Sequence, residues 1–137
     1  MRLSQVRVQQ TTILTITHKT SLDQVSQEIQ KKYSPVITTL ALNHCTLEKQ
    51  LVVPPTIQTL SIRNTHIDFP SICGSSLKIV EMPSCSLLVV PDIKGNLVKL
   101  NLNHNYIEEV RKIPCGETLK LLDIRDNRIK KIPREMF

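Results

Sequence analysis

One spacing recurs five times along the chain and leaves few folds open to it. ITTLALNHCTL begins at Ile37, IQTLSIRNTHI at Ile57, LKIVEMPSCSL at Leu77, LVKLNLNHNYI at Leu97 and LKLLDIRDNRI at Leu119. The intervals between starts are 20, 20, 20 and 22 residues. In every unit positions one, four, six and eleven are apolar, as with Leu97, Leu100, Leu102 and Ile107. Position nine holds Cys45, Thr65, Cys85, Asn105 and Asn127 in turn. Five stretches matching column for column predict a solenoid, in which each unit buries its apolar face only against its neighbours.

Within a unit, positions four and six lie two apart, the period of a strand, and point to one side. Stacked units then place their strands side by side, about 4.8 Å apart, in a parallel sheet. Return segments of such short units have no room for full helices. They carry Pro54, Pro55, Pro70, Pro91, Pro114 and Pro133, so extended, polyproline-like backbone is expected. The LxxLxLxxNxL form resembles the leucine-rich repeat, over about residues 36–133. LVVP at Pro91 and IKKIP at Pro133 are similar to its short LxxLP variety. The resemblance implies an α/β leucine-rich-repeat solenoid with a parallel β-sheet on the concave face and extended convex segments. It also implies that the ninth side chain turns inward to satisfy backbone groups, as Asn105 and Asn127 are suited to do.

Residues 1–35 differ. Thr12–Thr17 reads as a strand, with a second one before it, and Leu14 and Ile16 fit a degenerate unit starting near Thr11. From Ser21 to Tyr33 the period changes: Leu22, Val25, Ile29 and Tyr33 form one helical face. Ser21 caps this one N-terminal helix, Gln24 completes a capping box, Lys31 and Lys32 suit the last turn, and Pro35 stops it. The whole chain reads as a single domain, residues 1–35 forming a cap or degenerate repeat and residues 36–137 five repeats. IPREMF brings no visible polar cap, so a fragment, or end-to-end association through an uncapped last layer, is expected.

Composition narrows function. Aromatic residues are 3% and Trp is absent, so the core is built from Leu, Ile and Val. The net charge of +6 is spread along the chain, which makes nucleic acid an unlikely partner. No stretch approaches the roughly 18 apolar residues of a membrane span, and TTILTIT is a poor signal core. Cys45 and Cys85 share a column two units apart, as do Cys73 and Cys115; about 10 Å is too far for a disulfide. Buried thiols point to a reducing compartment, hence a cytoplasmic location with the nucleus left open. His18 and His44 could neighbour each other, yet no third ligand accompanies them, so neither metal nor cofactor is expected. No P-loop, GxSxG, HExxH or GxGxxG occurs, and only three Gly are present. Glu108 and Glu109 read as solvated, as does the basic cluster Arg128, Lys130, Lys131 and Arg134 around the core positions Ile129 and Ile132. The chain is not expected to be an enzyme.

What remains is the outward face of the strands, at positions three, five, seven and eight. Its N-terminal half is small and hydroxylated; its C-terminal half carries mixed charge. Arg63, Glu81, Lys99, Asn101, Asn103, His104, Asp123 and Arg125 are the candidate contacts for a protein partner. Against this stands the expectation that Lys99 and Asp123 simply pair across neighbouring strands. The resemblance implies non-catalytic protein binding through the concave face. Its alternatives are a substrate-recognition or adaptor part of a larger enzyme complex of ubiquitin-ligase or phosphatase type, a weak nucleic-acid binder, and a scaffold associating through sheet edges.

Overall fold

Residues 12–68 and 70–132 are described by a computed structural model. Among them the elements run β1 (Ile13–Thr17), α1 (Leu22–Lys32), β2 (Thr39–Asn43), β3 (Thr46–Leu47), β4 (Leu51–Val52), β5 (Thr59–Arg63), β6 (His66–Ile67), β7 (Ser71–Cys73), β8 (Ile79–Glu81), β9 (Asp92–Lys94), β10 (Lys99–Asn101) and β11 (Leu121–Asp123). The first strand of each unit joins one six-stranded parallel sheet, in the order β1-β2-β5-β8-β10-β11. Leu40 aligns with Leu60, Leu60 with Val80, Val80 with Leu100 and Leu100 with Leu122. The register therefore follows the repeat interval, including the longer last one. Leu14 aligns with Leu40 and Ile16 with Leu42, so the degenerate first unit starting near Thr11 is a full member of the stack. The strand expected before it falls outside the described residues.

Positions four and six supply the inner layer. Leu40, Leu42, Leu60, Ile62, Val80, Met82, Leu100 and Leu102 are all essentially inaccessible. Each such side chain contributes about 1.5–3 kcal/mol of burial. Leu122 and Ile124 in the last unit are only partly buried, and Ile132, expected in the core, is 40% exposed. Position fourteen there has no described unit beyond it to pack against.

The return side differs from expectation in one respect. The backbone there is extended, as expected, but parts of it pair into a second parallel sheet, β4-β7-β9, and a two-stranded ladder, β3-β6. Among the described residues the chain is a parallel-strand β-solenoid with one helix. Proline is compatible with this because it flanks the ladders rather than interrupting them. Pro54 and Pro55 follow β4, while Pro70 and Pro91 immediately precede β7 and β9. The Pro70 carbonyl still accepts from Asp92 N–H at 2.8 Å. Gly74 and Gly95 make the close packing here feasible. A Cβ on Gly95 would lie 2.7 Å from the Gly74 carbonyl oxygen, and one on Gly74 would lie 2.6 Å from Leu77 Cδ1.

Helix α1 takes the return path of the first unit, burying Val25 and Ile29. Ser21 Oγ accepts from Gln24 N–H at 3.2 Å, as the capping pattern predicts. Gln24 Oε1 reaches back to Thr20 N–H, one residue earlier than in a standard capping box. Glu48, from the next unit, adds a contact that local sequence does not reveal. Its carboxylate oxygens accept from Leu22 N–H at 2.9 and 3.1 Å, placing a negative charge at the helix N-terminus.

The chain leaves each strand of the main sheet by the same turn. Position eight has positive φ in all six units: His18 57°, His44 52°, Asn64 50°, Ser84 56°, His104 58° and Asp126 55°. Asn, Asp and His tolerate this left-handed region best among residues with a Cβ, which accounts for most of the column. Position nine then points inward. Asn105 Nδ2 donates to the carbonyls of Met82, Leu102 and Asn103, and its Oδ1 accepts from Cys85 N–H and Leu87 N–H, both at 3.0 Å. Asn127 repeats much of this, donating to Leu102, Ile124 and Arg125 carbonyls and accepting from Ile107 N–H. Thr65 accepts from Cys45 N–H at 3.3 Å and donates to Arg63 O at 2.9 Å. The Cys45 and Cys85 thiols reach only carbonyls, at 3.3–3.7 Å. Burial pushes the Cys85 thiol up, keeping it the neutral donor this role requires.

Two stability outcomes follow. Asn105→Ala orphans two N–H groups and weakens three carbonyl contacts, so a loss of at least about 3 kcal/mol is expected in denaturant unfolding. Gly95→Ala should cost about 1–3 kcal/mol through the backbone clash, whereas Gly116→Ala, whose Cβ would meet nothing nearer than 3.8 Å, should stay within about 0.5 kcal/mol.

Candidate functional site

The outward face of the six-stranded sheet presents positions three, five and seven of each unit. At position five, Ala41, Ser61, Glu81, Asn101 and Asp123 lie in direct register across five strands. At position three the row is Thr39, Thr59, Ile79, Lys99 and Leu121. Four of the candidate contacts, Lys99, Asn101, Asp123 and Arg125, line one shallow depression together with Leu121, Leu122 and Ile124. Glu81 neighbours Asn101 on β8, and Arg63 closes β5 as an exposed cation.

Local hydrogen bonds decide how free these side chains are. Asp123 does not pair with Lys99; its partner is Arg125, two residues past the end of β11. Arg125 Nε and Nη2 donate to Oδ1 and Oδ2 at 2.9 and 2.8 Å, and Arg125 N–H also donates to Oδ1 at 3.1 Å. Only two residues apart, the two side chains meet in a short, bidentate fork. The hydrogen bonds from Arg125 hold the Asp123 carboxyl below its ordinary range, with Lys99 adding a smaller coulombic effect. Asn101 Oδ1 likewise accepts from Asn103 N–H at 3.0 Å.

These local bonds also explain why the later strands shorten from five residues to three. Pro83 at position seven of β8's unit lacks a donor, and Asn101 and Asp123 capture the position-seven N–H of theirs. Pro83, expected outward, is buried on this face. Asn103 is half-buried, and its Oδ1 is the one buried side-chain oxygen without a partner among the described residues. His104 leaves the sheet in the left-handed turn and sits with Nδ1 3.4 Å from Asp126 Oδ2.

The remaining groups are spread out. The His18 and His44 rings stack with centroids 5.3 Å apart and planes inclined by 13°. No three metal-ligating side chains come together among the described residues. Cys45, Cys73, Cys85 and Cys115 are all free thiols. Glu108 pairs with Lys130 at 3.7 Å and Glu109 with Arg111 at 3.3 Å. Arg128 lies 4.6 Å over the Tyr106 ring, a contact the sequence reading missed although position ten and position ten of the next unit predict it by register. Arg134 falls outside the described residues. Among the described residues no helix is long and apolar enough to cross a membrane.

Compared with known protein families, curated proteins and solved structures, the chain has no match.

The Asp123–Arg125 fork makes a signed pH prediction. Because the folded-state carboxyl is held below its unfolded value, its stabilising effect is complete above the ordinary carboxylate range and is lost as pH falls through the folded value. Wild type should lose more thermal stability than Asp123→Asn between roughly pH 5 and pH 1. Parallel melting curves for the two proteins over that window would refute the fork's contribution.

Proposed function

We propose that the chain is a leucine-rich-repeat protein whose activity is non-catalytic binding of another protein on the concave, outward face of its main sheet. The observation that carries this reading is the division of labour within each unit. Positions four, six and nine are committed to core and backbone, while Lys99, Asn101, Asp123 and Arg125 gather around one open depression. The repeat resemblance is supported by the inward Asn105 and Asn127 and by the matching register of six strands. A preformed face of this kind limits the ordering cost of association. Fold alone does not fix function, so partner binding rests on the resemblance and on the exposed polar face.

An adaptor role within a larger enzyme complex is the second reading; it uses the same face and differs only in what else the partner brings. Both readings predict that a partner captured by wild type is lost when Lys99, Asn101 and Arg125 are changed together to Ala. Equal recovery by wild type and triple variant in a quantitative pull-down would overturn the face assignment. Nucleic-acid binding, by contrast, predicts affinity that falls steeply with salt.

A further inference from the structure

The fold gathers three lysines that the sequence keeps 21 residues apart. Lys78 and Lys120 occupy position two of their units, where the chain turns into the main sheet, and Lys99 occupies position three of the unit between them. Hydrogen bonds fix their order: Val98 N–H donates to Lys78 O and Lys120 N–H donates to Val98 O, both at 2.8 Å. Three adjacent strands therefore place Lys78, Val98 and Lys120 in one row at the rim where the chain enters the sheet, and Ile79, Lys99 and Leu121 in the next row, on the outward face. Val98 is 36% exposed and Leu121 53%. Neighbouring columns stand about 4.8 Å apart, so the whole patch is about 10 Å across.

No ion pair involves any of the three lysines among the described residues. The acids in the vicinity are Glu81 and Asp123 at position five and Glu117 in the turn before Leu119. Asp123 is occupied by Arg125. The equivalent positions in the earlier units are Thr38 and Thr39, then Gln58 and Thr59, so the charge belongs to the last three strands alone.

We propose that this rim takes an acidic segment of the partner in which carboxylates alternate with apolar side chains. The proposal rests on the partner-binding reading above and names its chemistry. Three unpaired ammonium groups supply attraction and steering, and Ile79, Val98 and Leu121 supply the apolar surface that a purely acidic chain could not use.

The probe is a fluorescent peptide of about eight residues repeating Glu-Glu-Leu-Leu, long enough at ~3.3 Å per residue to cross three strands. In an extended chain this order places both residue types on each face. Fluorescence anisotropy with the full chain should show binding that weakens at least about tenfold in a Lys78→Gln, Lys99→Gln, Lys120→Gln variant. A variant removing the same charge elsewhere, Lys31→Gln, Lys49→Gln, Lys112→Gln, should bind as wild type does. An all-Glu peptide of equal length should bind more weakly. Absence of binding, equal loss in both variants, or equal affinity for the all-Glu peptide would each overturn the proposal. If the peptide fails while the Lys99, Asn101 and Arg125 variant still loses a natural partner, the acidic-segment inference falls and the binding face stands.

Discussion

The turn out of the main sheet is where the structure is most constrained, because there the backbone must leave the ladder inside a packed stack. Each buried N–H or carbonyl left without a partner at that point costs about 1–3 kcal/mol. Asn105 meets the requirement with five contacts to backbone groups of its own and the preceding unit. Thr65 meets part of it with one accepted and one donated bond, and the cysteines only offer a weak donor. The ladder is thus tightest between the fourth and sixth units and loosest around Cys45. The left-handed residue at position eight makes the inward swing of position nine geometrically available, so the two columns work together.

This turn also sorts what the sequence reveals from what it conceals. Strand positions, order and register of the main sheet were legible, because apolar side chains at positions four and six have no other place to go. The helix was legible too, since Ser21 and the period of Val25 and Ile29 are local signals. The pairing of the return segments was not. Leu51, Ile72 and Ile93 align only once the main sheet has set the stacking, and the prolines beside them pointed to extended backbone without showing what it pairs with. Glu48 capping a helix in the preceding unit is likewise a relation between units that no local pattern encodes.

On the outward face, residue type was legible and pairing was not. Lys99 and Asp123 sit on adjacent strands, which made a cross-strand ion pair the natural expectation. Arg125 prevails because it lies only two residues away and offers two parallel donors to one carboxylate. The histidines carry a similar lesson. His104 read as a candidate contact, but its place in the left-handed column, shared with His44, gives it a structural reason to be there. Their rings have partners as well: His44 stacks on His18 and His104 lies against Asp126.

A solenoid separates these two demands more cleanly than a compact core does. Positions four, six and nine answer to neighbouring units, so changing them propagates along the stack. Positions two, three, five and seven answer mainly to solvent and to side chains beside them. Charge placed there at one repeat interval lands on adjacent strands, so residues that are distant in sequence form a contiguous surface. Lys78, Lys99 and Lys120 are each unremarkable in a linear reading, where the net charge of +6 looks diffuse. Stacking at the repeat interval converts that diffuse charge into a local one. The same stacking leaves the second and third units, with Thr38, Thr39, Gln58 and Thr59 at the matching positions, without it. On this face the lysine charge is therefore confined to the last three strands.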